Sequence, residues 1–489
     1  MKKILLFSLL FFLFQISYSQ TWQWVEQQGD WNADNGRAIC TDNTGNCYAV
    51  GGVQNYAKIF KYNSTGGLVW DVDAWVLNGV AKSIVYDNNG YLYISGDSSN
   101  QVKIVKVDTS GNMVWKVSDS LGTNTGIVFD NAGFIYLSGS DDLITKYDTS
   151  GNLIWGRAVN AVANSIALDP TGNLCVTGIF SGTAIFGTDT LIASGTEDIF
   201  VAKYDTSGIC IWAKRAGGNH IYSGYSKDCG YGITVDQIGN IYFTGALIGM
   251  SDFDSITISG TGTSNDIFLA KYNSSGNVLW VKHAFGGADE EGRCIAIDNF
   301  GNILIGGSYV PTANFDGFLL PGWGNYDSFV AKYDSTGAFI SALDAGEAVW
   351  NEFIYGIAAD NLGNIFVTGS FYGVTEFGPY APLSNGLFDM FIGKIDLATG
   401  IETQSTNLFD VIVYPNPAST NINIEFEMQG NEAVELEIKN VLGQSIHSQK
   451  VVSSGKQKQE VDISNLSNGF YFLELRSGRS FSLTKFIKQ

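Results

Sequence analysis

One phrase recurs seven times along the chain: Asp, two residues, Gly, usually Asn, then a β-prone run that ends in Gly. It begins at Asp42, Asp87, Asp130, Asp169, Asp236, Asp298 and Asp360. Asp236-Gln-Ile-Gly-Asn-Ile-Tyr-Phe-Thr-Gly and Asp360-Asn-Leu-Gly-Asn-Ile-Phe-Val-Thr-Gly are the clearest copies. A fixed period of this size means one supersecondary unit built many times. In each copy the Asp side chain can bond its own downstream backbone and the Gly supplies a positive φ, so the phrase reads as a tight turn between two strands. A second turn follows in every copy, as in Lys203-Tyr-Asp-Thr-Ser-Gly and Lys332-Tyr-Asp-Ser-Thr-Gly. Five copies then end in Trp, at Trp70, Trp115, Trp155, Trp212 and Trp280. The unit is a four-stranded meander.

The strand after the first turn is apolar on both sides. Ile241 and Tyr242, Leu92 and Tyr93, and Ile135 and Tyr136 are adjacent pairs at its start. Side chains alternate across a strand, so both faces of the sheet are buried. Four-stranded sheets buried on both faces and repeated about seven times predict an all-β chain with a seven-bladed β-propeller. The segment Gln20-Thr-Trp-Gln-Trp-Val-Glu has the character of a fourth strand with no copy before it, and the last copy, ending at Gly400, lacks one. Residues 21–26 are therefore expected to pair near 391–396 and remove an open edge.

These phrases resemble the bacterial β-propeller units called SBBP repeats. The closest stretch is Asp198-Ile-Phe-Val-Ala-Lys-Tyr-Asp-Thr-Ser-Gly. The resemblance spans roughly 21–400 and is most specific in the last four copies. It implies a fold and export, not a reaction.

After Gly400 the repeat stops. Residues 401–408 read as a linker, and 409–489 as a small C-terminal β-sandwich of short alternating strands. Tyr414-Pro415-Asn416-Pro417, Asn440-Val-Leu-Gly443, Leu466-Ser-Asn-Gly469-Phe-Tyr471 and the basic ending Lys485-Phe-Ile-Lys488 resemble the type A C-terminal sorting domain of the type IX secretion system of Bacteroidetes. That resemblance implies two partners, the type IX machinery and its sorting protease. It also implies a destination outside the cell or on the outer-membrane surface, reached through the periplasm. At the other end, Lys2 and Lys3 precede an apolar run from Ile4 to about Phe14, followed by Ser17-Tyr-Ser-Gln20. Residues 1–19 read as a secretory signal peptide, too short to span a bilayer permanently. No later segment is apolar enough to serve as a transmembrane segment.

The net charge is −20. Affinity for a phosphate backbone comes from Lys and Arg, so this balance argues against nucleic acid as a partner. Cys40 and Cys47 stand two before and five after a repeat Asp. A two-residue hairpin would set them opposite one another as a disulfide; two buried thiols are the alternative. His220, His283 and His447 have no His partner at metal-ligand spacing and read as solvent loop residues in the first two cases. No Gly-x-Ser-x-Gly elbow, Walker loop or Cys-x-x-Cys pair occurs, so the reading has no catalytic residues, no metal and no cofactor. Asp289-Glu290-Glu291 and Asp252-Phe-Asp254 are acid-rich and read as solvated loops.

In an up-and-down unit the first and third turns lie on one face of the disc. The loop between the second and third strands and the connection between units lie on the other. The first pair is nearly uniform among the copies, while the second varies and carries insertions such as 181–197 and 311–326. Function sits on variable loops held by a rigid scaffold. Tyr222, Tyr225, Trp323, Tyr326, Trp350 and Tyr372 fall on that variable face and are the candidate ligand-contacting residues. The resulting expectation is an exported, non-catalytic binding or adhesion module for a glycan or protein. The alternatives are a polysaccharide hydrolase or lyase using loop carboxylates, and a structural surface component.

Overall fold

The computed structural model describes residues 21–53, 56–73, 80–98, 101–118, 124–140, 143–219, 228–260, 264–322, 324–346, 350–396, 411–439, 445–467, 469–477 and 480–489. All regular structure among them is β, with no helix. They fall into two compact units, one within 20–397 and one within 398–489.

Among the described residues the first unit holds seven antiparallel sheets, each built on four strands, and an added hairpin extends two of them to six. Sheets 1 to 6 begin with the strands Asn35–Thr41, Val80–Tyr86, Asn124–Phe129, Val162–Leu168, Cys229–Val235 and Glu291–Ile297. Sheet 7 consists of Glu352–Ala359, Ile365–Val374, Leu383–Asp396 and the N-terminal strand Thr21–Gln28. Thr21 lies opposite Asp396 and Gln28 opposite Met390. The expected pairing of 21–26 near 391–396 is therefore present and two residues longer. The first strands pack side by side in succession, and that of sheet 7 packs on that of sheet 1.

The repeat residues explain this succession. Trp70, Trp115, Trp212 and Trp280 each lie against the Gly of the turn between the third and fourth strands of the next sheet, while at Gly208 Arg157 takes that place. A Cβ on Gly276 would meet the Trp212 ring at 2.7 Å, and this Gly also needs its φ of +81°. The Trp212 indole donates to the Ser274 carbonyl in the same turn at 3.2 Å, as Trp70 does to Thr109 at 3.1 Å. Trp24, from the N-terminal strand, makes the equivalent bond from sheet 7 to Ser64 of sheet 1 at 3.3 Å. The first turns are also linked laterally. Asn361 Nδ2 of sheet 7 donates to Asn43 Oδ1 of sheet 1 (3.1 Å), and Asn43 Nδ2 donates to Asn88 Oδ1 of sheet 2 (3.3 Å).

The insertions are not free loops. Thr183–Phe186 with Asp189–Ile192, Met250–Phe253 with Ile256–Ser259, and Thr312–Phe315 with Phe318–Pro321 fold as hairpins. The second adds to the outer edge of sheet 4, setting Phe253 opposite Ala216; the third adds to sheet 5, setting Phe315 opposite Ala284. Phe186, Phe253, Phe315 and Phe377 hold equivalent, fully buried positions. An apolar anchor at a fixed place in each insertion draws it inward instead of leaving it in solvent.

The Cys40–Cys47 disulfide is not formed. The loop between the strands is Asp42–Asn46, which sets Thr41 opposite Cys47 and Cys40 opposite Tyr48. A one-residue offset sends the two side chains to opposite faces of the sheet. Cys40 packs toward sheet 2, Cys47 toward sheet 7, and burial pushes both thiols well above their ordinary range. His283 is also not a loop residue. It lies within the fourth strand of sheet 5 and stacks on Phe285 at 5.3 Å. His220 lies outside the described residues.

In the C-terminal unit, where short strands are expected, residues 421–439 form one strand, Asn421–Lys439, paired along its length with Ser445–Asp462. A register shift between Met428 and Glu432 divides this long hairpin. One half carries Ile412–Tyr414 and the other Gly469–Ser477. Ile422, Ile424, Leu436, Ile438, Leu473 and Phe486 share one buried core. The Tyr414–Pro417 motif meets the chain end, where Asn416 Oδ1 accepts from Ile487 N at 2.9 Å and Ala418 N donates to the Ile487 carbonyl at 2.8 Å. Tyr471 stacks on Phe486, and Lys488 is largely buried. Lys485 lies opposite Phe472. Gly443 lies outside the described residues.

Candidate functional site

Each first strand contains a bulge at the same place. Its register breaks around Arg37, Lys82, Thr125, Asn164, Tyr231, Arg293 and Tyr355 in sheets 1 to 7. An extra residue re-aims its side chain out of the ladder. The Gly that ends the repeat phrase makes room for the displaced backbone. A Cβ on Gly178 would lie 1.9 Å from the Val162 carbonyl oxygen, and one on Gly369 would lie 1.8 Å from that of Phe353.

These seven side chains, with Val80, line one cavity of about 440 Å³. A continuation of it takes three consecutive residues from every first strand. Arg293, Tyr355, Arg37 and Lys82 come from sheets 6, 7, 1 and 2 and form one arc. The Arg37 guanidinium lies over the Tyr355 ring at 4.8 Å; Arg293 lies 5.4 Å from Tyr355 and 5.5 Å from Tyr231. The opposite arc is tied to protein backbone. Thr125 Oγ1 donates to the Ala163 carbonyl, and Asn164 Nδ2 to the Gly230 carbonyl at 2.9 Å. Behind the ring Glu291 pairs with Arg293 and accepts from the Tyr231 hydroxyl at 3.4 Å. Burial opposes the charge of Arg293, but Glu291 holds its guanidinium above the ordinary value. The described lining carries three cations and no carboxylate.

An aromatic track leads to this ring from the face of the strand-two-to-three loops and inter-sheet connections. Trp350 is 48% exposed and meets Tyr372 edge-on at 5.1 Å. Tyr372 continues to Phe388 at 5.8 Å, Phe388 to Phe353 at 6.1 Å, and Phe353 to Tyr355 at 5.9 Å. Tyr326 joins from sheet 6, 5.4 Å from Phe353. Asn351 holds the junction: its carbonyl accepts from Tyr372 N at 3.1 Å, and Glu352 N donates to the Tyr326 carbonyl at 2.8 Å. Of the six candidate aromatics, the structure thus brings together Tyr326, Trp350 and Tyr372; Tyr222, Tyr225 and Trp323 lie outside the described residues.

No motif in the sequence singles out the cavity residues, yet each stands five positions before a repeat Asp. That position runs Arg, Lys, Thr, Asn, Tyr, Arg, Tyr and is polar throughout. Of the acid-rich segments, one differs from expectation. Glu290 is fully buried, accepts from Gly286 N (3.1 Å) and Ala288 N (3.2 Å), and is pushed up to about 8 by burial. It caps a turn away from solvent because its neighbours' N–H groups need an acceptor there. Asp252 and Asp254 are exposed on the Met250–Ser259 hairpin at the outer edge of sheet 4, where Thr257 Oγ1 donates to Asp252 at 2.6 Å. Among the described residues no group of three His, Cys, Asp or Glu could hold a metal ion.

Residues 412–489 match the family model of the secretion system C-terminal sorting domain. The chain therefore carries such a domain, which implies export by the type IX secretion system to the cell surface or extracellular space. A curated relative, an uncharacterized WD repeat-containing protein of Acanthamoeba polyphaga mimivirus, is 28% identical over 267 residues, 43% of this chain. The match spans 19% of that relative's length. Among solved structures, the WD40 beta propeller domain of Doa1 is similar at a TM-score of 0.43 and 14% identity, covering 77% of this chain and 97% of that one. No helix among the described residues is long and apolar enough to cross a membrane.

Proposed function

We propose that this chain is an exported, non-catalytic binding or adhesion module. In this reading residues 20–400 are a seven-bladed β-propeller of SBBP-like units closed by the N-terminal strand. A signal peptide at 1–19 starts export. A linker at 401–408 leads to a β-sandwich at 409–489, which directs sorting and is removed or retained at the surface. The ligand is a glycan or a protein segment. The observation that carries the reading is the aromatic track from Trp350 to Tyr355. Half-exposed rings held by their own backbone contacts offer large apolar faces with little entropy to lose, which suits stacking on sugar rings. The test is a glycan array probed with the full mature chain, followed by titration of the best hit. Trp350→Ala is expected to weaken binding at least tenfold while leaving the melting temperature within about 2 °C. Unchanged binding by that variant, or cleavage of the bound glycan, overturns the reading.

A further inference from the structure

We propose that Glu352 is the positioning residue of the aromatic track, and that a proton held on its carboxyl makes the assembly of the track depend on pH. That this dependence governs binding rests on the binding-module reading; the switch itself does not.

The first observation is a repeated seam. Four sheets carry a buried acid three residues before the bulge of the first strand: Asp34, Asp228, Glu290 and Glu352. The third strand of the preceding sheet brings a second buried acid, Asp389, Asp198, Asp266 or Asp327. The backbone fixes the facing. Asp34 N donates to the Phe388 carbonyl at 2.6 Å, Glu290 N to Asn265 at 2.9 Å and Glu352 N to Tyr326 at 2.8 Å, each time to the residue before the aspartate. Two carboxyl groups in one dry seam repel when both are charged. In sheet 4 Arg215 pairs with Asp198 at 2.6 Å, and in sheet 7 Gln27 donates to Asp389. Both stand on the fourth strand opposite a third-strand Phe. In sheet 6 the same place, opposite Phe329, is held by Asp344. The seam between sheets 6 and 7 thus gathers a third acid where those two gain a donor.

The second observation is the state of Glu352. Its Oε1 accepts from the Thr375 hydroxyl at 3.1 Å, while its Oε2 is buried and accepts no hydrogen bond. Asp327 and Asp344 accept backbone N–H groups, from Gly324 at 3.1 Å and Gly346 at 3.3 Å. A buried carboxyl short of donors keeps its proton. Burial pushes Glu352 up to about 9; Thr375 opposes this, and Asp327 and Asp344 add to it. Among the described residues no cation is in the set of groups acting on it. The strands packed against its own bring Glu291 with Arg293, which pair with each other, and Arg37, which stacks on Tyr355. They also bring Tyr309, whose hydroxyl donates to the Pro321 carbonyl at 2.9 Å.

The third observation is what hangs on this residue. Its N–H holds Tyr326, and its Oε1 holds Thr375, three residues after Tyr372. The preceding Asn351 carbonyl holds Tyr372 N at 3.1 Å, next to Trp350. Tyr326, Trp350 and Tyr372 therefore converge on one carboxyl. Charging it sets a bare anion beside two other acids, and the seam must part to hydrate it. The stabilisation it gives is full below its ordinary value of 4.5 and falls away as pH rises toward 9.

The test is the fluorescence of Trp350 in the full mature chain, taken as the difference between wild type and Trp350→Phe and followed from about pH 6 to about pH 11. The best glycan-array hit is titrated alongside at pH 7 and pH 10. The Trp350 signal should change in one step near pH 9. Glu352→Gln, which copies the protonated form, should remove the step, and Asp344→Asn should lower its midpoint by about half a unit or more. The hit should bind about tenfold more weakly at pH 10, where about a tenth of the chains keep the proton, and equally at both pH values in Glu352→Gln. A flat wild-type signal overturns the proposal, as does a step that survives in Glu352→Gln and so belongs to a phenol. Should Glu352→Gln fail to fold, an unmoved midpoint in Asp344→Asn overturns it instead. If the step is lost in Glu352→Gln while the array binds nothing, the switch stands and the binding module fails. If a hit binds alike at both pH values and the Trp350 signal is flat, the switch fails and the module stands. A step with equal binding at both pH values refutes control of binding by this carboxyl.

Discussion

Sheets 4 and 6 hold their first-turn aspartate in a different way from sheets 1, 3 and 5. All five carboxylates accept the same turn bonds, from backbone N–H groups two and four residues on. In sheets 1, 3 and 5 the next donor is a phenol: Tyr48 to Asp42 at 3.0 Å, Tyr136 to Asp130 at 2.9 Å and Tyr242 to Asp236 at 3.1 Å. In sheets 4 and 6 that position is Cys175 or Leu304. There the strand-three ammonium approaches instead, Lys203 to Asp169 at 2.8 Å and Lys332 to Asp298 at 2.9 Å. Where tyrosine takes the Asp, the lysine bonds only the next sheet's turn among the contacts described, as Lys146 does to Thr206 and Lys271 to Ser335, whereas Lys203 makes that bond, to Ser274 at 3.3 Å, in addition to its ion pair. The repeat thus fixes a requirement for one more donor at a buried carboxylate, and two chemistries satisfy it. Sheets 2 and 7 do neither in full. The Tyr93 hydroxyl is buried without a partner, and Lys394 lies 6.0 Å over Phe366.

The largest break in this comparison is expected from Lys203→Met. It leaves Asp169 buried without its counter-ion and should cost about 3–5 kcal/mol, read from denaturant midpoints. Lys271→Met removes a bond to a carbonyl, while Tyr242 keeps Asp236 satisfied, so about 1 kcal/mol is expected. Equal losses would mean that the two arrangements are energetically the same.

Acid sharpens the contrast. Burial opposes the charge on Asp169, but Lys203 and the turn donors bring its carboxyl down to about 2. A lowered carboxyl contributes stability that is present above its ordinary value near 3.8 and is lost as pH falls through 2. The gap between wild type and Lys203→Met should therefore close between about pH 4 and pH 2, while the Lys271→Met gap stays level. Burial pushes Glu290 up to about 8 and Glu352 up to about 9, and their stabilisation is lost as pH rises through those values. Both variants share that loss, so it cancels in the difference.

The smallest effects compare two phenols. Tyr242→Phe leaves Asp236 short of a donor and should cost about 1 kcal/mol, whereas Tyr93→Phe removes a hydroxyl that bonds nothing and should be close to neutral. A cost for Tyr93→Phe equal to that of Tyr242→Phe would show that the phenol contributes by packing alone.

What could be read in the chain was what recurs or acts locally. The Asp turns, the Lys-Tyr-Asp turns, the Trp at strand ends and the extra N-terminal strand all announce themselves by type and spacing. Three things did not. The Cys40–Cys47 register depends on a five-residue loop, and one residue of offset reverses the facing. The hairpins inserted after the second strands of sheets 5 and 6 pair with sheets 4 and 5, a partnership no local pattern records. The channel residues sit in strands whose alternation is broken by one inserted position, so they look like ordinary polar members of a half-exposed edge. Of the candidate site, Tyr326, Trp350 and Tyr372 were visible as aromatics on a variable face. Their connection through Phe388 and Phe353 to Tyr355 exists only in three dimensions.

The bulges carry one more consequence, for how such a molecule can change. A residue in the ladder answers to a cross-strand neighbour and to the core of the next sheet. A bulged residue stands outside that alternation, and the backbone has already been given its room by the glycine opposite. The seven bulged positions accordingly carry Arg, Lys, Thr, Asn, Tyr, Arg and Tyr on the same backbone geometry. The scaffold and its specificity are written at separate positions of the same repeat, so selection can revise the second without rewriting the first.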